Sequence, residues 1–192
     1  MADSNIPKRA LASALKELME TMPFEKITIS HICDKCCMNR KSFYYHFKDK
    51  YDLVNWIYDT EFFVTIAGYH NDDQWMLFEL LCRYLYDNRK FYRKALNIRG
   101  QNSFSDHFRE RLIPYIAEAI KDIVPDVHID SPLMSDPDFV LQFQTNFMTD
   151  AIIAAIERWL QDKNNLSAHD FLAVIYSFVE KLSVQISNRS NE

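Results

Sequence analysis

The sequence predicts an all-α protein with an N-terminal helix-turn-helix domain of three helices at residues 1–50 and a C-terminal helical domain at residues 51–192. Three observations favour this fold class. Apolar residues recur at intervals of three and four along most of the chain, which is the spacing of a buried helix face. Only two of the 192 residues are glycine, which disfavours β architectures and excludes glycine-rich phosphate loops. Residues 28–50 have the pattern of two short helices and a turn, followed by the start of another helix.

The first helix is predicted for residues 6–22. Pro7 lies near its start, where proline is favoured because it has no amide proton to leave unpaired. Pro23 ends it, since proline cannot continue the hydrogen-bond ladder. Its predicted apolar face contains Leu11, Leu15, Leu18 and Met22. We expect this face to pack across the two short helices that follow.

The segment from Thr28 to Phe47 is predicted to form a helix-turn-helix. Thr28 is placed to cap its first helix and Asn39 its second, because their side-chain oxygens can accept from amides of the next turn. Phe43 and Phe47 lie four residues apart on the second helix and would pack inward. In such a unit the second helix presents its N-terminal residues to base edges in the DNA major groove. The predicted inward residues of the first helix are Ile29, Ile32, Cys33 and Cys36.

The other face of the second helix carries groups suited to DNA. Arg40 and Lys41 lie in its first turn and can donate to guanine or to phosphate. Two basic residues there oppose the helix dipole, which indicates a polyanion nearby. The alternative is that this basic, aromatic face is simply solvated. The further candidate donors to bases or phosphates are Ser42, Tyr44, His46 and Lys50.

Residues 27–53, ITISHICDKCCMNRKSFYYHFKDKYDL, resemble the N-terminal domain of the TetR family of transcriptional regulators. In that family a threonine opens the second helix, the short third helix carries an aromatic-Tyr-x-His-Phe run, and a lysine follows. The resemblance implies a TetR-like fold, with phosphate contacts from Thr28, Tyr44, His46 and Lys50 and base contacts from residues 40–42. The complete predicted DNA-binding set is Thr28, Asn39, Arg40, Lys41, Ser42, Tyr44, His46 and Lys50.

Two residues depart from the family pattern, which usually has glycine where this chain has Pro23 and Cys37. Cys37 lies in the turn of the helix-turn-helix. A residue other than glycine there is expected to adopt an unfavourable φ angle, so the turn could be slightly reshaped.

The charge distribution agrees with DNA binding at the N-terminal end. The whole chain has a formal net charge of -5. Residues 1–50 nevertheless hold nine Lys and Arg against six Asp and Glu, whereas the remainder holds 13 against 21. The positive charge is therefore confined to the predicted DNA-binding domain.

Three of the four cysteines, Cys33, Cys36 and Cys37, cluster in this motif. A C-x-x-C pair suggests zinc binding or redox chemistry, but no second ligand pair follows at the spacing of a metal finger. Packing in the core is the favoured interpretation, with thiol sensing and metal binding as alternatives. We expect neither a metal nor a cofactor.

The rest of the chain is predicted to be helical, with one exposed loop. The predicted loop is the proline- and aspartate-rich segment 125–137. Pro114 is expected to kink or divide the helix that contains it. The predicted helices are residues 51–69, 73–88, 90–98, 103–124, 138–162 and 167–188.

The last two helices are predicted to form a homodimer interface. Each carries an apolar stripe, and alanines on the first would let a partner helix approach closely. The resemblance also implies a dimer, because two recognition helices need a fixed spacing to reach successive major grooves. The alternative is that both stripes are covered within one subunit. The predicted interface residues are Phe147, Ala151, Ala155, Phe171, Ile175, Phe178 and Leu182.

The C-terminal domain is predicted to regulate DNA binding. In the TetR family it usually holds a small-molecule pocket, and residues 19–27 and 88–108 resemble the branch that includes regulators of dihydroxyacetone kinase operons. That branch has members that act with a partner protein. Aromatic residues at helical spacing are otherwise ordinary core. The candidate pocket residues are Trp56, Phe62, Trp75, Phe78, Phe104, Phe108 and Phe143.

The sequence thus predicts a dimeric, sequence-specific DNA-binding transcriptional regulator that acts as a repressor. Activation, action through a partner protein, and a helical small-molecule-binding protein without DNA binding are the alternatives. We expect no enzyme, because the chain has no nucleophile elbow, paired catalytic carboxylates or cofactor loop. The N-terminus has no apolar signal segment, and the protein is expected to be cytoplasmic without membrane contact. Expected partners are an operator duplex, a second copy of the chain, and a small-molecule effector or partner protein.

Overall fold

The computed structural model describes residues 5–66, 74–98, 103–123 and 136–189. Within these ranges the chain forms nine α-helices and one 3₁₀ turn, and no β-strand. The predicted all-α fold class is therefore confirmed. The elements are α1 (Ile6–Thr21), the 3₁₀ turn (Phe24–Lys26), α2 (Ile29–Lys35), α3 (Arg40–His46), α4 (Lys50–Ile66), α5 (Gln74–Asp87), α6 (Arg89–Ala95), α7 (Phe104–Ile123), α8 (Pro137–Gln161) and α9 (Ala168–Arg189).

The chain divides into two compact units. The first comprises residues 1–70 and 88–108, and the second comprises residues 71–87 and 109–192. The first unit therefore contains α4, α6 and the first turn of α7 in addition to the helix-turn-helix. The predicted division into a DNA-binding domain at residues 1–50 and a regulatory domain at residues 51–192 stays a prediction.

Helix α1 organises the first unit, packing against α2, α4 and α6. Leu11 and Leu15 of its predicted face are fully buried. Met19 completes the buried face, whereas Leu18 and Met22 are only half-buried. Lys16 on α1 donates to Glu61 on α4 at 2.6 Å. The helix that precedes the motif is thus bound to the helix that follows it.

An aromatic cluster forms the core beside α4. Tyr58 is fully buried and stacks on Phe62, with ring centroids 5.5 Å apart. The rings of Phe104 and Phe108 meet Tyr58 edge to face at 5.5 and 5.4 Å, an arrangement that aromatic quadrupoles favour. At the rim of this cluster the His107 imidazole lies 3.0 Å from the Asp59 carboxylate. These contacts hold α4 and the first turn of α7 together.

The second unit is built on α5, which packs against α8 and α9. Trp159 of α8 stacks on Phe171 of α9 at 4.3 Å and donates through its indole N–H to the Leu166 carbonyl at 2.8 Å. Arg109 on α7 donates to Asp150 on α8 at 2.8 Å. Helix α7 continues through Pro114, so no boundary falls there.

Helix α8 begins at Pro137, with Asp136 as its N-cap. The Asp136 carboxylate accepts from the amides of Asp138 and Phe139 at 3.1 and 3.3 Å. The predicted loop at residues 125–137 otherwise lies outside the described residues.

Candidate nucleic-acid interface

Helix α2 begins with a reciprocal cap. The Thr28 hydroxyl accepts from the His31 amide at 3.2 Å, and the Thr28 amide donates to Nδ1 of the His31 imidazole at 3.3 Å. Two amides at the helix start are satisfied in this way. Ile32 and Cys33 are fully buried beneath α2. The predicted cap and its Thr28 are therefore where the sequence places them, on an exposed corner of the first unit.

The turn after α2 places Cys37 at a positive φ angle of 55°. The Met38 amide donates to the Cys33 carbonyl at 2.9 Å, and the Cys37 amide to the Asp34 carbonyl at 3.3 Å. These two bonds define a Schellman motif, whose left-handed position glycine occupies most easily. The unfavourable φ angle predicted for Cys37 is confirmed. The turn therefore keeps the left-handed geometry that glycine favours, although the Cβ atom of Cys37 makes this conformation less favourable.

Helix α3 is capped by Asn39, whose side-chain oxygen accepts from the Ser42 amide at 2.8 Å. Phe43 and Phe47 are 0% and 3% exposed, as predicted. Phe47 also packs edge to face on Trp56, with ring centroids 5.7 Å apart. The cap fixes the start of α3, and the two phenylalanines fix its rotation about its axis.

The outer face of α3 is basic and aromatic. Arg40 and Lys41 are exposed, and within the described residues neither has an ion-pair partner. Tyr44 is 51% exposed, while His46 is half-buried beneath the Tyr45 ring. Two unpaired cations and a phenol therefore face solvent from one short helix, which suits a polyanion.

Tyr45 is a candidate that the sequence analysis missed. It is the most exposed large apolar residue in the described part of the chain, at 84%. At 100° per residue, Tyr45 lies diametrically opposite the midpoint of Phe43 and Phe47. The sequence alone gives this geometry. The family resemblance, however, implies phosphate contacts from the flanking Tyr44 and His46 and none from Tyr45.

Lys50 has different surroundings from those expected of a phosphate donor. Its ammonium donates to the carbonyls of Phe24 at 2.7 Å, Ile27 at 2.8 Å and Glu25 at 3.3 Å. It also lies 4.4 Å from the centroid of the Phe24 ring. Burial lowers the pKa of this ammonium. All three of its donors already have acceptors, so the predicted phosphate contact stays a prediction that would require these bonds to rearrange.

The cysteines of the motif are free thiols. Burial raises the pKa of Cys33 and of Cys36, which makes both poor nucleophiles. Cys36 donates to the Ile32 carbonyl at 3.3 Å, whereas Cys37 is exposed. Among the residues described, no group of three or more His, Cys, Asp or Glu side chains is placed to hold a metal ion. Core packing accounts for Cys33, and only Cys37 offers a thiol to solvent within this motif.

The seven candidate pocket residues are divided between the two units of the chain. Phe62, Phe104 and Phe108 are buried in the aromatic cluster of the first unit. Trp56 also belongs to the first unit, where it packs against Phe47, with the Lys8 ammonium 5.7 Å from its ring centroid. In the second unit Trp75 contacts Phe78 at 6.3 Å and Tyr176 at 5.4 Å, and Phe143 is 63% exposed. Their role in ligand binding stays a prediction, and the placement of Phe143 argues against its lining a pocket within the unit.

The predicted interface residues differ in how exposed they are within one subunit. Phe147 on α8 and Phe178 on α9 are 66% and 59% exposed. Ala151, four residues after Phe147 on α8, is also exposed. Phe171 is instead buried against Trp159 within the subunit, and its place in a dimer interface stays a prediction. The side chain of Leu182 lies outside the described residues. Ala155 and Ile175 are half-buried.

An all-α chain with a helix-turn-helix in its first unit and a helical second unit belongs to the class of helix-turn-helix transcriptional regulators. The sequence profile described as "Bacterial regulatory proteins, tetR family" matches residues 11–57, and the profile "Transcriptional regulator C-terminal region", of the TetR type, matches residues 73–181. The chain belongs to the TetR family of transcriptional regulators.

Its relatives include regulators of dihydroxyacetone kinase operons. The chain is 32% identical over 101 residues to the HTH-type dhaKLM operon transcriptional activator DhaS of Lactococcus lactis subsp. lactis (strain IL1403). That match spans 51% of this chain and 53% of the relative, so it covers about half of each protein. The predicted resemblance to this branch is confirmed.

Two solved structures share the fold. One, titled "Dihydroxyacetone kinase operon activator DhaS", aligns with a TM-score of 0.56 and 23% identity over 96% of this chain and 98% of that chain. The other is a TetR transcriptional regulator from Streptococcus agalactiae 2603V, with a TM-score of 0.67 and 18% identity over 90% of this chain and 93% of that chain. At these identities the likeness concerns the fold.

Proposed function

We propose that this TetR-family regulator binds a pseudo-palindromic operator as a homodimer, with α3 of each subunit in the major groove. The observation that carries the proposal is the outer face of α3. It presents Arg40, Lys41 and Tyr45 to solvent from a helix whose start is capped by Asn39 and whose inner face is buried. Rigid support of exposed donors is what base readout requires.

Within this proposal the contacts divide by position on α3. Arg40 and Lys41, in the first turn, read base edges. Tyr44 and the exposed corner at Thr28 contact phosphates, which set the register of the protein on the duplex. Ser42, His46 and Asn39 complete the set as donors or acceptors near the same groove. Lys50 supports this surface through its bonds to the carbonyls of Phe24, Glu25 and Ile27.

The exposed aromatic face of α8 supports the dimer. Phe139, Phe143 and Phe147 are 45%, 63% and 66% exposed, at intervals of four residues along one side of the helix. By length and composition α8 could also cross a membrane, and only 22% of its most apolar window is buried within the chain, so most of this window is uncovered in one subunit. Helix α8 also carries Asp150, ion-paired to Arg109, and it packs on α5. We therefore propose that a second copy of the chain, in the cytoplasm, covers this face.

The dimer is tested by the mass of the purified protein in solution, measured by light scattering. Phe143→Glu with Phe147→Glu is expected to give monomers, because two carboxylates would be buried without partners. Ile6→Glu is the matched control, since Ile6 is 62% exposed on α1 and should leave the dimer intact. A wild-type monomer, or a dimer that survives the double substitution, would contradict the proposed interface.

Operator binding is tested by selecting bound sequences from a randomised duplex pool with the full chain at about 0.15 M salt, where non-specific attraction is screened. The expected result is enrichment of a site with two-fold symmetry and half-sites about one helical turn apart, roughly 34–36 Å. Absence of enrichment from a folded, dimeric protein would reject the proposal. It would favour a helical ligand-binding or partner-binding protein instead.

The direction of regulation has two candidates. Repression by occlusion of a promoter is the simpler mode, whereas the relative from Lactococcus lactis is named an activator. That relationship favours a second candidate, activation of a dihydroxyacetone kinase operon under the control of an effector or partner protein. Transcription in vitro from a template carrying the selected site distinguishes the two. Added protein would lower transcript yield in the first case and raise it in the second.

A further inference from the structure

The cap of α2 contains a histidine where glutamate or glutamine is usual. The Thr28 amide donates to Nδ1 of His31 at 3.3 Å, while the His31 amide donates to the Thr28 hydroxyl at 3.2 Å. The position is N3, three residues after the N-cap. The reciprocal bond therefore depends on an imidazole lone pair.

We propose that His31 is a positioning residue for DNA binding: its neutral imidazole holds Thr28 and the start of α2, and its protonation releases them and weakens operator binding. A backbone N–H can donate only to a ring nitrogen that has no proton. The bond thus requires the tautomer with its proton on Nε2. In the imidazolium both nitrogens carry protons, and the acceptor is lost.

Protonation would also place a positive charge in the first turn of α2. The N-terminal end of a helix is itself positive, so a positive charge in this turn destabilises the start of the helix. Glutamate or glutamine at the same position keeps its acceptor oxygen across the range near neutral pH in which imidazoles take up a proton. The histidine converts a constant cap into one that responds to acid.

The cap matters because α2 is short. It has seven residues, so its first turn is a large part of its hydrogen bonding, and its buried anchors, Ile32 and Cys33, follow directly. Helix α2 packs against α3, which carries the proposed base-reading residues, and against α1. Fraying at Thr28 would loosen both the proposed phosphate contact and the support of α3.

None of the charged groups named here competes with the bond from the Thr28 amide to the His31 imidazole. On α2 itself, Lys35 is paired with Glu17 of α1 at 3.0 Å, and Asp34 follows His31 by three residues. On α3 the nearest charges along the chain are Arg40 and Lys41. In the described part of the structure, no hydrogen bond or ion pair links His31 to any of them. The imidazole is exposed, so protons reach it freely.

The test compares wild type with His31→Gln, which keeps an acceptor but does not titrate, and with His31→Ala, which removes it. The full-length dimer is titrated with a duplex recovered from the random pool, at pH 7.5 and pH 5.5 and constant ionic strength. Wild type is expected to lose about fivefold more affinity on acidification than His31→Gln, since a helix cap contributes on the order of a factor of five. His31→Ala should bind more weakly than His31→Gln at both pH values.

Two outcomes would overturn the proposal. Identical pH profiles for wild type and His31→Gln would show that His31 does not act through its protonation. Affinity that rises in wild type on acidification, relative to His31→Gln, would mean that the imidazolium contacts phosphate directly. His46 is present in all three proteins, so the difference between them isolates His31.

Because the inference rests on the proposed DNA interface, a second measurement uses the free protein. Hydrogen exchange of the Thr28 amide, corrected for its intrinsic pH dependence, is expected to lose about fivefold in protection between pH 7.5 and pH 5.5 in wild type and to stay constant in His31→Gln. Failure to recover any duplex would reject the proposed function, while the exchange result would still decide the cap. If the protection of the Thr28 amide in wild type did not change with pH, its bond to the His31 imidazole would not be what protects it.

Discussion

Replacing Lys50 tests whether this lysine stabilises the first unit through its hydrogen bonds to backbone carbonyls. Lys50→Met keeps the aliphatic stem but removes the ammonium that binds three carbonyls of residues 24–27. A hydrogen bond from a charged group contributes about 1.5–3 kcal/mol, and a lysine over an aromatic ring about 0.5–1 kcal/mol. Because Lys50 is only half-buried, water can replace part of the stabilisation that these contacts provide. We expect a loss of about 2–3 kcal/mol in the free energy of unfolding.

The measurement is urea unfolding of the full chain, followed by circular dichroism and tryptophan fluorescence. Lys48→Met is the matched control, because Lys48 is exposed two residues earlier and only its backbone amide is engaged, with Asp52 at 2.9 Å. The control should change stability by no more than about 0.5 kcal/mol, as surface substitutions do. Equal stabilities for the two variants would refute the supporting role.

DNA binding provides an independent measurement. A lysine that contacts phosphate steepens the salt dependence of log K by about 0.9, whereas a supporting lysine lowers affinity without changing the slope. Lys50→Met is therefore expected to bind more weakly with the wild-type slope. A slope smaller by about one would establish the phosphate contact that the family resemblance implies.

Further predictions concern the turn and the outer face of α3. Cys37→Gly should raise the free energy of unfolding by about 0.5–1 kcal/mol, because glycine adopts the left-handed conformation without strain; Cys36→Gly, at φ -106°, should lower it in the same urea assay. Cys37 should be the first thiol to react with iodoacetamide at pH 8, since burial raises the pKa of the other three. Mass spectrometry of the peptides would contradict this prediction if another cysteine were alkylated before Cys37. Arg40→Ala should relax preference at one position per half-site by about 1–3 kcal/mol, whereas uniform weakening on all duplexes would make Arg40 a phosphate contact. Tyr45→Ala should weaken binding to the selected site about tenfold, the size of one base-edge contact, with stability unchanged because the ring is exposed; unaltered affinity would remove Tyr45 from the interface.

The first unit could be predicted from sequence where the determinants are local. Thr28 and Asn39 cap the helices that they precede, and Phe43 and Phe47 point inward, because each effect acts within one helical turn. The positive φ angle of Cys37 follows equally from its place after α2. Spacing of three and four residues carries this information directly.

The interpretation of apolar stripes could not be completed from sequence. Phe147 and Phe171 both lie on helical apolar faces, yet one is 66% and the other 6% exposed. The spacing of apolar residues shows that a helix face is apolar, but it does not show which other helix packs on that face. Phe171 is buried because Trp159, on another helix, stacks on its ring.

The sequence by itself determined the all-α class, the family, and the caps and inner face of the helix-turn-helix. Tertiary structure decided what distant groups do. Lys50 reaches carbonyls 23 to 26 residues earlier in the chain, and Lys94 reaches the Met19 and Glu20 carbonyls at the end of α1. A long, flexible side chain takes the acceptors that the fold brings to it, and the residue type alone does not distinguish a carbonyl from a phosphate.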